Sequence, residues 1–214
     1  KLVATDSDDT IRLRALLASD ELELIDGVSG TDTIVGTDAN NRLDFSATEL
    51  HNISVIDAGA GNDFITGTSQ SDVLIGGTGN DRLYGAKGSD EYLFSEGDGQ
   101  DLINELNGDV GDIDRLVLTQ VETTDALWFS RNGHNLVVDV VGSDDRVTIQ
   151  NWYRDDANKI EQIETRSAIL QSDNIDALVQ AMAAFDVQTG ADSVISNEVK
   201  EQLQPVLASS WTAV

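Results

Sequence analysis

The chain has 214 residues, 39 of them acidic and 13 basic, for a formal net charge of -26 at pH 7. That balance excludes nucleic acid, whose phosphates need a basic surface, and self-repulsion of this size opposes compaction unless cations offset it. An apolar share of 40% argues against disorder, while the absence of cysteine leaves no disulfide framework to hold the fold.

Residues 1–26 are expected to form lead-in strands. Lys1 to Ser7 lacks the apolar core of a secretory signal, and no stretch approaches transmembrane length. Because the sequence opens on Lys rather than Met, it is expected to be cut from something longer.

A nine-residue repeat follows, weak at first. GVSGTDTIV from Gly27 and GTDANNRLD from Gly36 place Asp32 and Asn41 in equivalent positions, although Asn41 offers only a neutral oxygen. Residues 45–57 (FSATELHNISVID) read as an insertion ending in a strand through Val55, Ile56 and Asp57. The repeat then strengthens in AGAGNDFIT from Ala58, GTSQSDVLI from Gly67, GGTGNDRLY from Gly76 and GAKGSDEYL from Gly85. Position six returns an aspartate (Asp63, Asp72, Asp81, Asp90) and position eight an apolar residue (Ile65, Leu74, Leu83, Tyr92).

Each copy reads as a turn and a short strand. Glycine admits backbone angles that let the turn curl its carbonyls inward, and strand alternation sends the position-eight side chain into a core. One copy cannot bury that residue, but stacked copies can, so the period predicts a solenoid. A flexible glycine-rich linker would lack the apolar position eight. Stacking also aligns the carboxylates, whose repulsion needs a counter-charge; a hard cation that takes about six to eight oxygens supplies it. The copy at 67–75 departs from the pattern, with Gln70 where glycine is usual, and Glu96-Gly97-Asp98-Gly99-Gln100-Asp101 breaks the period. The roll is therefore placed at 27–105.

Downstream, Arg115 to Leu118, Ala126 to Ser130, Leu136 to Val141 and Arg146 to Trp152 predict strands, with turns at Asn132-Gly133 and Gly142 to Asp145. They are expected to form an antiparallel cap over 106–166, covering a last rung whose open edge would otherwise pair with other chains. Trp128, Phe129, Trp152 and Tyr153 either fill that cap or present a sugar-binding platform. In 167–214, Ile175, Leu178, Val179 and Met182 mark a helix behind a Ser172-Asp173 cap, ending at Phe185. A second helix is expected from near Ser196 to Pro205. The fold class is mainly β: a parallel β-roll or β-helix, an antiparallel β cap and short C-terminal helices.

Catalysis has little support. Neither H-E-x-x-H nor G-x-S-x-G occurs, and His51 and His134 stand alone. Asp109, Asp112 and Asp114 crowd together, but the twelfth residue from Asp109 is Gln120 where an EF-hand needs glutamate. No enzyme is expected.

The nonapeptides resemble the G-G-x-G-x-D-x-U-x repeat of the RTX family. The stretch WFSRNGHNLVVDVVGSDDRVTIQNWY from Trp128, with Ile160 to Glu164, resembles the domain that follows the repeats in haemolysin-type calcium-binding proteins. LVQAMAAF from Leu178 and PVLASSW from Pro205 resemble the extreme C-terminus of large RTX adhesins. The resemblance implies two nonapeptides per turn, so that Asp63 and Asp81 share one edge and Asp72 and Asp90 the other. It implies several calcium ions between stacked loops, held by aspartate oxygens and turn carbonyls. The candidates are Asp32 and Asn41 upstream; Asp57, Gly59, Ala60, Asn62 and Asp63; Gly67, Ser69, Ser71 and Asp72; Gly76, Thr78, Asn80 and Asp81; Gly85, Lys87, Ser89 and Asp90; and Asp98 with Asp101 closing the last site.

The same resemblance implies export from a Gram-negative bacterium through a type I channel of ABC transporter, adaptor and outer-membrane component. An uncleaved signal in 167–214 would guide it, and folding would follow on calcium outside the cell. The parent is read as a large secreted or surface adhesin and the module as monomeric. Two other readings stay open: an accessory domain of a secreted lipase, protease or epimerase, or a carbohydrate-binding module meeting a host or surface glycan. Some RTX proteins cleave themselves at Asp-Pro, whereas the one proline here follows Gln204.

Overall fold

The computed structural model describes residues 1–105 and 111–214. The chain starts as a three-sided coil made of β1 (Leu2–Val3), β2 (Thr10–Arg12), β3 (Ala15–Leu16), β4 (Leu24–Asp26), β5 (Asp32–Thr37), β6 (Arg42–Asp44), β7 (Glu49–His51) and β8 (Ile53–Gly59). β1, β4 and β7 stack in parallel on one face, β2, β5 and β8 on the second, and β3 and β6 on the third. Residues 1–26 are thus wound into the solenoid, and 45–57 supplies β7 and most of β8 instead of looping away from it. No compact glycine turn joins β3 to β4 or β6 to β7, so the chain runs out onto an extra face. Ile25 and Phe45, both fully buried, fill the wider interior.

From β9 (Phe64–Thr66) onward the extra face is gone. β10 (Val73–Ile75), β11 (Arg82–Tyr84), β12 (Glu91–Phe94) and β13 (Gln100–Asn104) alternate between two facing sheets, two nonapeptides to the turn. Position eight stays in register from turn to turn, Ile65 beside Leu83 beside Ile103 on one sheet and Leu74 beside Tyr92 on the other. All five are buried, and each contributes on the order of 1.5–3 kcal/mol by leaving water.

The cap consists of β14 (Arg115–Leu118), β15 (Leu127–Asn132), β16 (Asn135–Val140), β17 (Arg146–Ile149), β18 (Gln162–Glu164) and β19 (Ala168–Gln171), followed by α1 (Ile175–Met182), α2 (Asn197–Ser210) and β20 (Trp211–Ala213). β14 does not join an antiparallel sheet: it pairs in parallel with β12 and β18, and β17 pairs in parallel with β13. The antiparallel parts are β15–β16–β17 and β18–β19–β20. Apolar register explains the difference, because Tyr92, Leu116 and Ile163 are neighbours, as are Ile103 and Ile149, and each extends the core stack by a rung. The cap therefore prolongs both sheets of the roll and protects their ends by continuing them.

Trp128, Phe129 and Trp152 are 5%, 0% and 2% exposed, so they serve the core and present no platform. Tyr153 is half-buried beneath the Arg131 guanidinium, 4.2 Å from the ring centre. α1 is preceded by one tight turn at Ser172–Asn174, and Asn174, not Ser172-Asp173, stands at its cap. Its face of Ile175, Leu178 and Met182 is buried against β15, where the Phe129 N–H points at Met182 Sδ (3.1 Å). α2 runs through Pro205 to Ser210. The ring removes one N–H from the ladder, but buried Leu203 and Leu207 on either side keep the helix on the core. Among the described residues, no helix is long and apolar enough to cross a membrane.

Candidate metal centre

The position-six residues form two ladders, one along each edge of the roll. On the first edge the main-chain N–H of Asn41 donates to Asp63 Oδ1 (2.5 Å), that of Asp63 to Asp81 Oδ1 (2.6 Å) and that of Asp81 to Asp101 Oδ1 (2.9 Å). On the second, Asp72 N–H donates to Asp90 Oδ1 (2.8 Å), Asp90 N–H to Asp114 Oδ1 (2.8 Å) and Asp114 N–H to Glu161 Oε2 (2.9 Å). Upstream, Asp32 Oδ1 accepts from Asp9 N–H (2.8 Å). One carboxylate oxygen of each rung thus holds the preceding turn in place.

The other oxygen is set aside. Asp32 Oδ2, Asp63 Oδ2, Asp81 Oδ2, Asp90 Oδ2 and Glu105 Oε2 are all buried and accept no hydrogen bond. An acceptor buried without a partner costs about 1–3 kcal/mol, more when charged, and recurrence at equivalent places calls for a common partner. The donors on offer are oxygens only, which suits a hard cation such as calcium and gives no thiolate or imidazole for a softer one. The residues fit calcium.

Two of the expected ligands spend a side-chain oxygen on their own turn. Asn41 Oδ1 accepts from Thr37 N–H (2.7 Å) while its Nδ2 donates to Arg14 O (3.0 Å). Asp72 Oδ2 accepts from the N–H and hydroxyl of Thr68 (2.6 and 3.0 Å). The side chains at position five are spent on stacking: Asn62 Oδ1 accepts from Asn80 N–H, Asn80 Oδ1 from Gln100 N–H, and Ser71 Oγ and Ser89 Oγ from Ser89 and Ile113 N–H. Of the turn carbonyls, Gly59 O and Thr78 O each accept one main-chain N–H and keep a second lone pair. Asp57 and Asp98 cap turns on the first edge by accepting from Gly59 N–H (2.9 Å) and Ser95 N–H (2.6 Å). Gly67, Gly76 and Gly85 let the chain pass close to the next aspartate; a Cβ at Gly76 would lie 2.5 Å from Asp81 Oδ2. Ala60, Ser69 and Lys87 sit in the same turns, between the flanking strands.

Both ladders end in carboxylate clusters. On the second edge single oxygens of Asp90, Glu105 and Asp114 lie within 4.8 Å of one another, all three residues buried. Tyr92, the position-eight residue of its repeat, donates its hydroxyl to Glu105 Oε1. On the first edge Asp101 lies near Asp81, Asp98 and Asp145, and Asp145 accepts from Gly97 and Gly99 N–H (3.0 and 3.1 Å). Loss of water and then neighbouring negative charge push these acids up, Asp81 to about 6, Asp114 to about 7, Asp90 and Asp101 to about 8 and Glu105 to about 9. A bound cation reverses that balance by favouring the ionised forms.

Glu105, Asp114, Asp145 and Glu161 escaped the repeat pattern because the spacing lengthens past Asp101. A residual signal was there: Asp114-Arg115-Leu116 repeats the Asp81-Arg82-Leu83 order of acid, base and buried apolar residue. Asp109 lies outside the described residues, and Asp112 accepts from Gly88 N–H at 3.1 Å. His51 sits 3.7 Å from Glu49, away from these clusters.

The RTX calcium-binding nonapeptide repeat matches this chain in four copies, over residues 26–44, 57–92 and 66–103. The haemolysin-type calcium binding protein related domain matches residues 135–166, the hairpin and strands that prolong the roll. RTX repeats bind calcium, and the unpartnered oxygens lie inside the matched segments except for Glu105. Residues 26–44 and 57–103 are thus RTX calcium-binding repeats wound into a roll, and 135–166, which prolongs it, is similar to the domain related to haemolysin-type calcium-binding proteins.

Proposed function

We propose that the chain is a calcium-folded module of a large secreted or surface protein, exported by type I machinery from a Gram-negative bacterium. The observation that carries this reading is the set of buried carboxylate oxygens left without a donor at equivalent rungs. Calcium would be held on the first edge by Asp63, Asp81 and Asp101, on the second by Asp90, Glu105 and Asp114, and upstream by Asp32. Its contribution is charge: it offsets part of the -26 that otherwise opposes compaction.

Millimolar calcium acting on a site with a dissociation constant near ~0.1 mM contributes about 1.4 kcal/mol. Several such sites approach the about 5–15 kcal/mol that separates a folded domain from its unfolded chain. At submicromolar cytoplasmic calcium the contribution nearly vanishes, so the chain would stay open for export and fold outside. The helices of 167–214 would carry the export signal before docking on the cap, and the resemblance of that tail to RTX adhesins favours an adhesin as parent.

Circular dichroism of the chain, first stripped of calcium and then in millimolar calcium, tests the coupling. The expected result is gain of β signal with calcium; a spectrum that does not change contradicts the proposal.

A further inference from the structure

Six nonapeptides fall into two loop classes, and the division follows two positions. In the loops 27–32, 58–63, 76–81 and 85–90, position two has a left-handed backbone (Val28 φ 67°, Gly59 97°, Gly77 85°, Ala86 81°), and position four is a left-handed glycine (Gly30 109°, Gly61 127°, Gly79 146°, Gly88 105°). In the loops 36–41 and 67–72, position two is Thr37 or Thr68 and position four is Ala39 or Gln70, and none of these four is left-handed. The four left-handed loops are those whose position-six Oδ2 is buried and unpartnered. In the two threonine loops the corresponding oxygen is occupied.

The physical link is local. Outside the left-handed region, the threonine N–H turns inward onto the position-six oxygen, 2.7 Å from Thr37 to Asn41 and 2.6 Å from Thr68 to Asp72. The hydroxyl reinforces it, donating from Thr68 to Asp72 Oδ2 at 3.0 Å and accepting from Gln70 N–H at 3.0 Å. Thr37 repeats the arrangement, with Ala39 N–H 3.3 Å from its hydroxyl. Left-handed backbone at position two carries the N–H away, and Val28 shows how firmly that is imposed, since a β-branched residue seldom adopts φ above zero.

We infer that positions two and four of each nonapeptide decide whether its loop is open to calcium or closed by its own threonine, so that 36–41 and 67–72 are built-in blanks. The inference rests on the calcium reading above. It assigns Thr37 and Thr68 a gating role, and it makes the second edge start its metal ladder at Asp90 instead of Asp72.

The test counts bound calcium in the full chain by equilibrium dialysis with elemental analysis. Thr68→Gly/Gln70→Gly should bind one more ion than the parent chain, and adding Asp72→Asn should remove that extra ion. Asp72→Asn alone should leave the parent count unchanged. Thr68→Val, which keeps the side-chain volume and loses only the hydroxyl, guards against a glycine-rich loop that fails to order; it should raise affinity for terbium, read by luminescence, at least threefold. If the glycine variant and the valine variant both fold on calcium with the parent's count and affinity, the gating role is overturned. If the parent chain itself takes up no calcium, the reading beneath it fails instead.

Discussion

The Asp63 N–H donates to Asp81 Oδ1 across 2.6 Å, while Asp81 Oδ2, equally buried, meets no donor. One carboxylate therefore does two separable things, holding the previous turn and offering an oxygen to a cation. Asp81→Asn keeps an acceptor for Asp63 and removes the charge, whereas Asp81→Ala removes both. Calorimetric titration should show a lost or weakened site in each. In denaturant melts at saturating calcium the alanine variant should be less stable than the asparagine variant by about 1–3 kcal/mol, the cost of the orphaned N–H.

The Tyr92 hydroxyl and Glu105 join the repeat core to the roll–cap junction. Tyr92→Phe leaves the ring in the stack and strips Glu105 of its donor, so calcium-saturated stability should fall by about 1.5–3 kcal/mol, as for hydrogen bonds to charged groups. Glu105→Gln should weaken calcium binding with the core unchanged. Equal calcium affinity in the glutamine variant and the parent would remove Glu105 from the site.

Acidity should act in opposite directions with and without metal. Asp90, Asp101 and Glu105 sit at about 8, about 8 and about 9 in the folded, metal-free chain, far above the about 4 of an unfolded carboxylate. Folded chain then holds more protons than unfolded chain between these limits, so the contribution of these groups is complete below about pH 4 and is lost as pH rises toward 8–9. Calcium-stripped chain should therefore hold more β signal at pH 5.5 than at pH 8, where it is open. Calcium binding must expel those protons, so affinity should rise over the same interval, and titrations in buffers of different ionisation enthalpy should reveal proton release. A metal-free β signal that climbs with pH would contradict the burial argument.

Leu83 lies between Ile65 and Ile103 in the stack of one sheet, and all three are buried. Leu83→Ala should cost about 2–5 kcal/mol in saturating calcium, the range for a leucine truncated in a core. Because each rung touches chiefly its neighbours, hydrogen exchange should quicken most in β9, β11 and β13.

Much of this molecule is written locally. An aspartate and an apolar residue two places on, spaced by nine, specify turn, strand and inward face from short-range rules alone, so Ile65, Leu74, Leu83, Tyr92 and the aspartates at 63, 72, 81 and 90 could be read directly. The helix stripe of Ile175, Leu178 and Met182 was legible for the same reason. Pro205 was not, since its tolerance depends on Leu203 and Leu207 finding the core.

Tertiary structure decided the rest through register at long separation. Asp90 meets Asp114 across 24 residues, and Asp114 meets Glu161 across 47, over intervening chain that no period constrains. Only pairing of β14 with β12 and β18 brings those acids to one edge. The same holds for the added face at the start, where Leu2, Ile25 and Leu50 align through parallel strands separated by unrepetitive sequence. Periodic local chemistry determined what each rung is, and the stacking of rungs, which depends on burying a shared core, decided which carboxylates stand together.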